Sequence, residues 1–259
     1  MAMSIDIHTL TDPLLALVFP FTRIMAFIHF CPVLDNSAFS RRIKIAMALT
    51  LVVVITPMLP EKILPGSLLS VRTILLIGEQ LLWGLLFGMA LQLVFVALQT
   101  AGHILSMNMG LGMATMNDPV NGSSTTVISQ IIYTFCGLLF FVMDGHLLVV
   151  TILYKGFIWW PIGTAITSPQ LMFIAQGLGW IMSSATLIAL PTTFVMLIVQ
   201  GGFGLLNRVS PTLNLFSLGF PISMLFGLLC ISMMITNIPD HYLNLTNDIL
   251  AILEAMRND

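Results

Sequence analysis

Charged side chains are scarce in this chain: Asp, Glu, Lys and Arg make up 8% of its 259 residues. A soluble domain carries roughly 25% charged residues, so this chain has too little charge to cover a water-facing surface. Hydrophobic residues reach 58%, and the mean hydropathy is +1.02. The formal net charge of −2 argues against nucleic acid as a partner, because nucleic-acid binding requires a basic surface. The composition is that of an integral membrane protein.

Cysteine and catalytic motifs are also sparse. The three cysteines, Cys31, Cys136 and Cys230, lie in apolar runs without a C-x-x-C pair, so we expect small core residues rather than disulfides. The five histidines show no H-x-x-x-H or H-x-x-E spacing, whereas a metal needs three or four convergent ligands. The chain has no phosphate loop, catalytic triad or nucleotide fingerprint. We therefore predict no metal, no cofactor and no enzymatic activity.

What the chain does have is a series of long apolar runs, at 14–34, 43–59, 74–98, 127–152, 171–200 and 212–237. All but 43–59 approach or exceed the roughly 20 residues with which a helix crosses a bilayer. An amphipathic stretch follows at 242–256. The sequence predicts an all-α integral membrane protein with about six long apolar helices, in a single membrane-embedded domain over 1–259.

Several residues are unusual for lone membrane helices. Pro20, Pro191 and Pro221 interrupt three runs and Asp144-Gly145 interrupts a fourth, so we expect kinks. Polar side chains recur as well, and in lipid they need partners. We favour a surface that faces other protein subunits, although an ordinary bundle of kinked helices explains the same facts. The polar residues are Gln92, Gln99, Gln130, Gln176, Ser183, Ser184, Thr186, Thr192, Thr193 and Gln200.

The most informative segment is 101–119 (AGHILSMNMGLGMATMNDP), which carries four methionines, three glycines and neither Lys nor Arg. Methionine fills irregular gaps and repacks easily. Irregular backbone at membrane depth occurs only where protein buries it or where it lines a cavity. The composition fits a deformable seal, and it also fits a small-residue helix packed against its neighbours.

A few charges lie in or beside the apolar runs. Arg41 and Arg42 form a basic cluster with Lys44, which the positive-inside rule assigns to the cytoplasm. Arg23 lies inside the first run and is costly to bury alone, so it should meet a carboxylate, carbonyl oxygens or water. Asp118 and Asp144 precede Pro and Gly, which favours turn or cap roles. The alternative is a secondary transporter that couples a small solute to these two carboxylates.

Five motifs occur in order along the chain: Phe19-Pro20 with Arg23, the Arg41-Arg42 cluster, segment 101–119, Asp144-Gly145-His146, and segment 205–221 (LLNRVSPTLNLFSLGFP). This series resembles the FliR/SctT/SpaR family of type III export gate proteins over essentially the whole chain. Segments 101–119 and 205–221 are its most specific parts. Asp144 departs from the family, which more often has Asn before Gly-His.

The resemblance implies a structural and gating subunit in the export gate of a flagellar basal body, in the bacterial inner membrane. It implies FliP-like, FliQ-like and FlhB-like partners, unfolded export substrates, contact with membrane lipid, and no nucleic acid. It also implies a FliP-like part over about 1–190 and a FliQ-like helical hairpin and tail over about 191–259.

The resemblance also assigns site residues. The expected pore plug comprises Ser106, Met107, Asn108, Met109, Gly110, Gly112, Met113, Met116, Asn117, Asp118 and Pro119. The expected subunit interface or cytoplasmic entrance comprises Arg23, Arg41, Arg42, Asn207, Arg208, Pro211 and Asn214, with 207–211 as the tip of the FliQ-like hairpin.

Overall fold

The computed structural model describes residues 16–35, 39–59, 70–111, 115–117, 124–209 and 215–257. Within them the chain is almost entirely helical, which confirms the all-α prediction. One short antiparallel ribbon, in which Met116 pairs with Thr125, was not predicted. The elements are α1 (Val18–Phe30), α2 (Arg41–Ile55), α3 (Val71–Asn108), β1 (Thr115–Asn117), β2 (Ser124–Thr126), α4 (Val127–Val142), α5 (Gly145–Trp159), α6 (Ser168–Val209), α7 (Leu215–Ile235) and α8 (Ile238–Ala255).

Two described helices are long and apolar enough to cross a bilayer: α3 with 38 residues and α6 with 42. The number rises to four if each of two bent pairs, α4 with α5 and Gly219–Ile235 with α8, forms one span. By contrast, α1 has 13 residues and α2 has 15, short of the roughly 20 that a span requires. The six apolar runs therefore correspond to two to four spans in the described chain.

A helix ends at the expected turn, Asp144, whereas two of the prolines at which we expected kinks lie inside continuous helices. Asp144 has φ 55° and separates α4 from α5, which meet at 73°; Asp tolerates this left-handed conformation better than most residues. The predicted turn is confirmed. Pro191 and Pro221, however, lie inside α6 and α7 without ending either helix. In membrane helices neighbouring groups can satisfy the backbone that a proline frees.

The described chain divides into two compact units. The first comprises residues up to Gln92, 144–175 and those from Ala255. In it, α1 lies directly against α3 at Gly84, the first glycine of a GxxxG pair with Gly88: a β-carbon on Gly84 would lie 2.6 Å from the Ala26 β-carbon. Beside this contact the Trp83 and Trp160 rings stack with centroids 5.0 Å apart. Close helix approach and aromatic stacking make this unit densely packed.

The second unit comprises 93–143 and 176–254. Its core includes Phe95, whose ring meets Tyr133, Phe140 and Tyr242 edge-on at centroid distances of 5.9, 6.4 and 6.0 Å. The predicted apolar face of the C-terminal helix is confirmed, since Tyr242, Leu245, Ile249 and Leu253 are buried. This face packs α8 into the unit.

Much apolar surface stays uncovered in the single chain. Side chains along the last turns of α6 are mostly exposed, Leu205 by 68% and Val209 by 82%. Exposed apolar surface on this scale marks contact with lipid or with another protein. The three cysteines, in contrast, are buried and unpaired, which confirms their prediction as small core residues.

Candidate functional site

The predicted plug, residues 106–119, begins in the last turn of α3, and we call it the gate segment after that prediction. Gly110 ends the helix with φ 77°, and its N–H donates to the Met107 carbonyl at 3.1 Å. A left-handed glycine just after a helix is a common stop, because it satisfies carbonyls of the last turn without a β-carbon clash. Met107 is 55% exposed, whereas Met109 is 1% exposed. At the end of α3 the Met107 thioether is therefore exposed, and the Met109 thioether is buried.

Asn108 holds this helix end to α6 through two hydrogen bonds. Its side-chain Nδ2 donates to Thr193 Oγ1 at 2.9 Å, and its carbonyl accepts from Gln200 Nε2 at 2.7 Å. Thr193 and Gln200 are about two turns apart, so they lie on one face of α6. We call Asn108, Thr193 and Gln200 the clasp.

Met109 packs into a gap on α7, which we call the notch and which exists because Gly227 has no side chain. A β-carbon on Gly227 would lie 2.7 Å from both Sδ and Cε of Met109, a distance that real contacts do not show. Gly110 meets the same helix, since a β-carbon there would lie 3.3 Å from Cδ2 of Phe220. Thus α6 holds the helix end by polar bonds, and α7 holds it by packing.

After the gate segment, hydrogen bonds connect the chain to α3 again. In the ribbon, Thr115 pairs with Thr126, and the Thr126 hydroxyl donates to Ser129 Oγ at 2.9 Å. Ser129 Oγ in turn donates to the carbonyl of Gln99 at 3.0 Å. The described chain thus leaves α3 after Asn108, and the start of α4, directly after β2, is bonded to α3 beside Gln99.

The predicted plug residues are only partly described. Ser106 to Gly110 lie at the end of α3, with Ser106 buried, and Met116 and Asn117 lie in β1. Gly112, Met113, Asp118 and Pro119 lie outside the described residues, so their plug role stays a prediction.

Arg23 lies in a second polar site, inside the first unit. It is 0% exposed. Its Nε donates to Gln80 Oε1 at 2.8 Å, and its Nη1 donates to the carbonyls of Gly156 and Trp160 at 3.1 and 2.9 Å. These carbonyls end α5, where positive charge is favourable. We call Arg23 and these three partners the anchor.

The environment of the Arg23 guanidinium combines aromatic and polar groups. Phe157 lies with its ring centroid 4.4 Å from the guanidinium carbon, a cation–π arrangement. Nη2 has no hydrogen-bond partner in the described part of the chain. The expectation that Arg23 meets carbonyl oxygens is confirmed, and its role at a subunit interface stays a prediction.

The other predicted interface residues are exposed where they are described. Arg41 and Arg42 begin α2, and Asn207 and Arg208 lie in the last turn of α6. Pro211 and Asn214 lie outside the described residues. The role of these residues at a subunit interface or cytoplasmic entrance stays a prediction.

The carboxylates of the transporter alternative do not form a described site. Asp144 is exposed at its turn, and Asp118 lies outside the described residues. Among the described residues no three His, Cys, Asp or Glu side chains gather as metal ligands would.

Sequence reasoning did not assign Thr193, Gln200, Gly227 or Gln80 to a site. Thr193 and Gln200 were noted only as polar residues in an apolar run, and their spacing along one helix face was the available signal. The glycine notch at Gly227 and the bond from Arg23 to Gln80 join distant parts of the sequence. No local pattern marks either of them.

These features define an α-helical membrane protein in which the start of a methionine-rich segment is held against two apolar helices, α6 and α7. The family model "Bacterial export proteins, family 1" matches residues 14–249. The chain therefore belongs to this family of bacterial export proteins.

Individual relatives agree. The flagellar biosynthetic protein FliR of Pectobacterium carotovorum subsp. carotovorum is 32% identical over 235 residues, which cover 90% of this chain and 89% of the relative. FliR of Escherichia coli (strain K12) is 31% identical over 210 residues, 81% and 80% of the two chains. The Yop proteins translocation protein T of Yersinia pestis is 29% identical over 168 residues, 62% and 64%. The predicted membership of the FliR/SctT/SpaR family is confirmed, and the chain is a membrane component of a type III export apparatus.

Proposed function

We propose that this chain is a structural and gating subunit of the flagellar type III protein export gate. It forms part of the pore for unfolded export substrates, and the gate segment is the plug that closes it. Its partners are FliP-like, FliQ-like and FlhB-like proteins in the bacterial inner membrane, at the basal body. The flagellar assignment follows the names of its FliR relatives.

The observation that carries the proposal is the way in which the gate segment is held. Its start lies in α3 and is tied to α6 and α7, and β1 within it pairs with β2, whose last residue bonds to Ser129 beside Gln99 of α3. A loop with fixed ends can move as a flap without detaching, because only the bonds at its base must change. This arrangement suits a closure that opens and returns to one position.

The composition of the segment explains how it would seal. A hydrophobic constriction closes a pore by excluding water, so no charge need block the ions. Methionine side chains repack around an irregular gap with little strain, and segment 101–119 contains no Lys or Arg that would hold water in the closed state. A polypeptide could push such side chains apart, and they would close again behind it.

The proposed assembly accounts for the uncovered apolar surface of the single chain. Exposed side chains on the end of α6, such as Leu205 and Val209, need a cover. FliP-like and FliQ-like subunits would supply it, with lipid covering the remainder. In this proposal residues of about 1–190 form the FliP-like part, and residues of about 191–259 form the FliQ-like hairpin and tail, whose tip at Asn207 and Arg208 meets an FlhB-like protein or a neighbouring subunit.

The proposal is tested by replacing residues 110–116 with a glycine-serine linker of equal length, in cells that make the partner proteins. We expect the complex to assemble and the membrane to leak small ions, because the apolar closure is gone. The readouts are membrane potential and growth, with assembly checked by co-purification. A variant in which Met107, Met109, Met113 and Met116 become Leu is the control, and it should leak far less since side-chain volume is nearly kept. Normal assembly without a leak in the linker variant would show that closure lies in another subunit.

A further inference from the structure

We propose that the clasp sets how readily the gate opens, with Thr193 and Gln200 as positioning residues that hold Asn108 in the closed state. This inference rests on the gating function proposed above. Thr193 and Gln200 each bond to Asn108 at the end of α3, and their role is to keep the first turn of the gate segment in place.

The hydrogen-bond directions in the clasp are fixed by a further bond. The Thr193 hydroxyl donates to the carbonyl of Ala189 at 2.8 Å, so its proton is already used. A hydroxyl has one proton and can still accept, which leaves it to accept from the amide Nδ2 of Asn108. The side-chain amide is thus oriented, and a carboxylate at position 108 could not make the same contact without moving the Thr193 proton.

The clasp has the strength expected of a reversible closure. Both bonds join neutral groups, at 2.9 and 2.7 Å. A neutral hydrogen bond changes an equilibrium by roughly two- to tenfold, so losing one should shift the ratio of open to closed gates by about that factor. In the single chain Gln200 is exposed and Asn108 is half-buried, and in the proposed pore water or an arriving peptide group would replace these bonds when they break.

The test compares single substitutions in the assembled complex in cells. Thr193→Val keeps the side-chain shape but removes the acceptor, and Gln200→Leu removes the donor to the Asn108 carbonyl. We expect each to raise ion leak by roughly two- to tenfold, below the leak of the 110–116 linker variant. Two controls should match the wild type. Thr193→Ser keeps the hydroxyl, and Thr186→Val removes a hydroxyl on the same helix that bonds back to Met182 in the same manner but does not meet Asn108.

A double-mutant cycle shows whether the contact itself is responsible. Asn108→Ala and Thr193→Val remove the two ends of one bond, so the double variant should leak no more than Asn108→Ala alone. The clasp is contradicted if Thr193→Val leaks no more than Thr186→Val while the linker variant leaks, or if the two single effects multiply. If the linker variant itself assembles and does not leak, the gating function fails and the clasp fails with it.

Discussion

The anchor and the clasp attach helices by polar bonds in apolar surroundings, but they differ in charge and burial. In the anchor, a fully buried guanidinium makes three hydrogen bonds of 2.8 to 3.1 Å, two of them to carbonyls at the end of α5. In the clasp, one side-chain amide and one carbonyl of Asn108 make two bonds between neutral groups, and Gln200 is exposed.

Because of this difference, the anchor is suited to a permanent contact between helices, and the clasp is suited to a contact that can open. Hydrogen bonds to a charged group contribute about 1.5–3 kcal/mol each and neutral ones about 0.5–1.5 kcal/mol. Breaking the anchor would also leave a charge buried without partners, which is strongly unfavourable. Breaking the clasp exposes neutral groups that water can satisfy. We infer that the anchor contact stays closed, while the clasp contact at the end of α3 is the one that opens.

The largest effect should come from removing the anchor. Arg23→Met leaves Gln80 and the carbonyls of Gly156 and Trp160 buried without their donor, at a cost of about 1–3 kcal/mol for each group. We expect the protein to disappear from the membrane, as measured by its steady-state amount. Arg23→Lys should restore only part of it, since lysine lacks the planar fork. Arg72→Met removes an exposed arginine and is the control. A normal amount of Arg23→Met protein in the membrane would contradict the claim that the anchor is a permanent contact and the clasp is not.

A smaller effect is expected at the notch beside the clasp. Gly227→Ala would force Met109 out of its place against α7, and overpacking of this kind costs about 1–3 kcal/mol. The protein should still reach the membrane, but the complex should leak ions and lose thermal stability. Gly219→Ala on the same helix is the matched control, because a β-carbon there meets no described atom within 4 Å. Equal behaviour of the two variants would contradict the packing role of Met109.

A weaker effect is expected at the exposed methionine of the gate segment. Met107→Gln replaces a thioether with an amide of similar length that binds water. We expect ion leak to rise by about two- to fivefold, since a partly exposed side chain of this size contributes about 1 kcal/mol or less. Met172→Gln is closely matched, with 56% exposure against 55%, and should leave the leak unchanged. If both substitutions act alike, the position of Met107 in the segment has no special importance.

The smallest effect is expected at Arg208, which belongs to neither region although it lies on the helix that carries Thr193 and Gln200. Arg208→Lys keeps the positive charge and loses the planar donor fork. If this residue meets a partner subunit, export and motility should fall modestly while protein amount and ion leak stay normal. Unchanged export would instead mean that Arg208 serves only as a positive charge that fixes the orientation of the helix at the membrane surface.

The sequence predicted the helical membrane class, the turn at Asp144 and the buried face of α8, because each depends on local periodicity or on residues adjacent in the chain. It also indicated that Arg23 would need carbonyl partners, since a lone buried charge is unfavourable. The close approach of α1 to α3 at Gly84 agrees with the GxxxG pair.

Other features could not be predicted in this way. Kinks were expected at Pro191 and Pro221, but the sequence did not show that α6 and α7 continue past them, which is possible where neighbouring groups satisfy the freed backbone. The ribbon was missed because its strands have three residues each, too few for an alternating pattern. The clasp joins Asn108 to residues 85 and 92 positions away. Such contacts depend on how helices pack, which a single sequence does not display.

The central claim, that residues 106–119 close a conducting pore, is tested most directly by electrical recording. The complete complex, purified with its partners and inserted in a planar lipid bilayer, should show almost no resting ion current. The same complex with residues 110–116 replaced by a glycine-serine linker should conduct steadily, because the apolar closure has been removed. Equal resting currents from two fully assembled complexes would contradict the account.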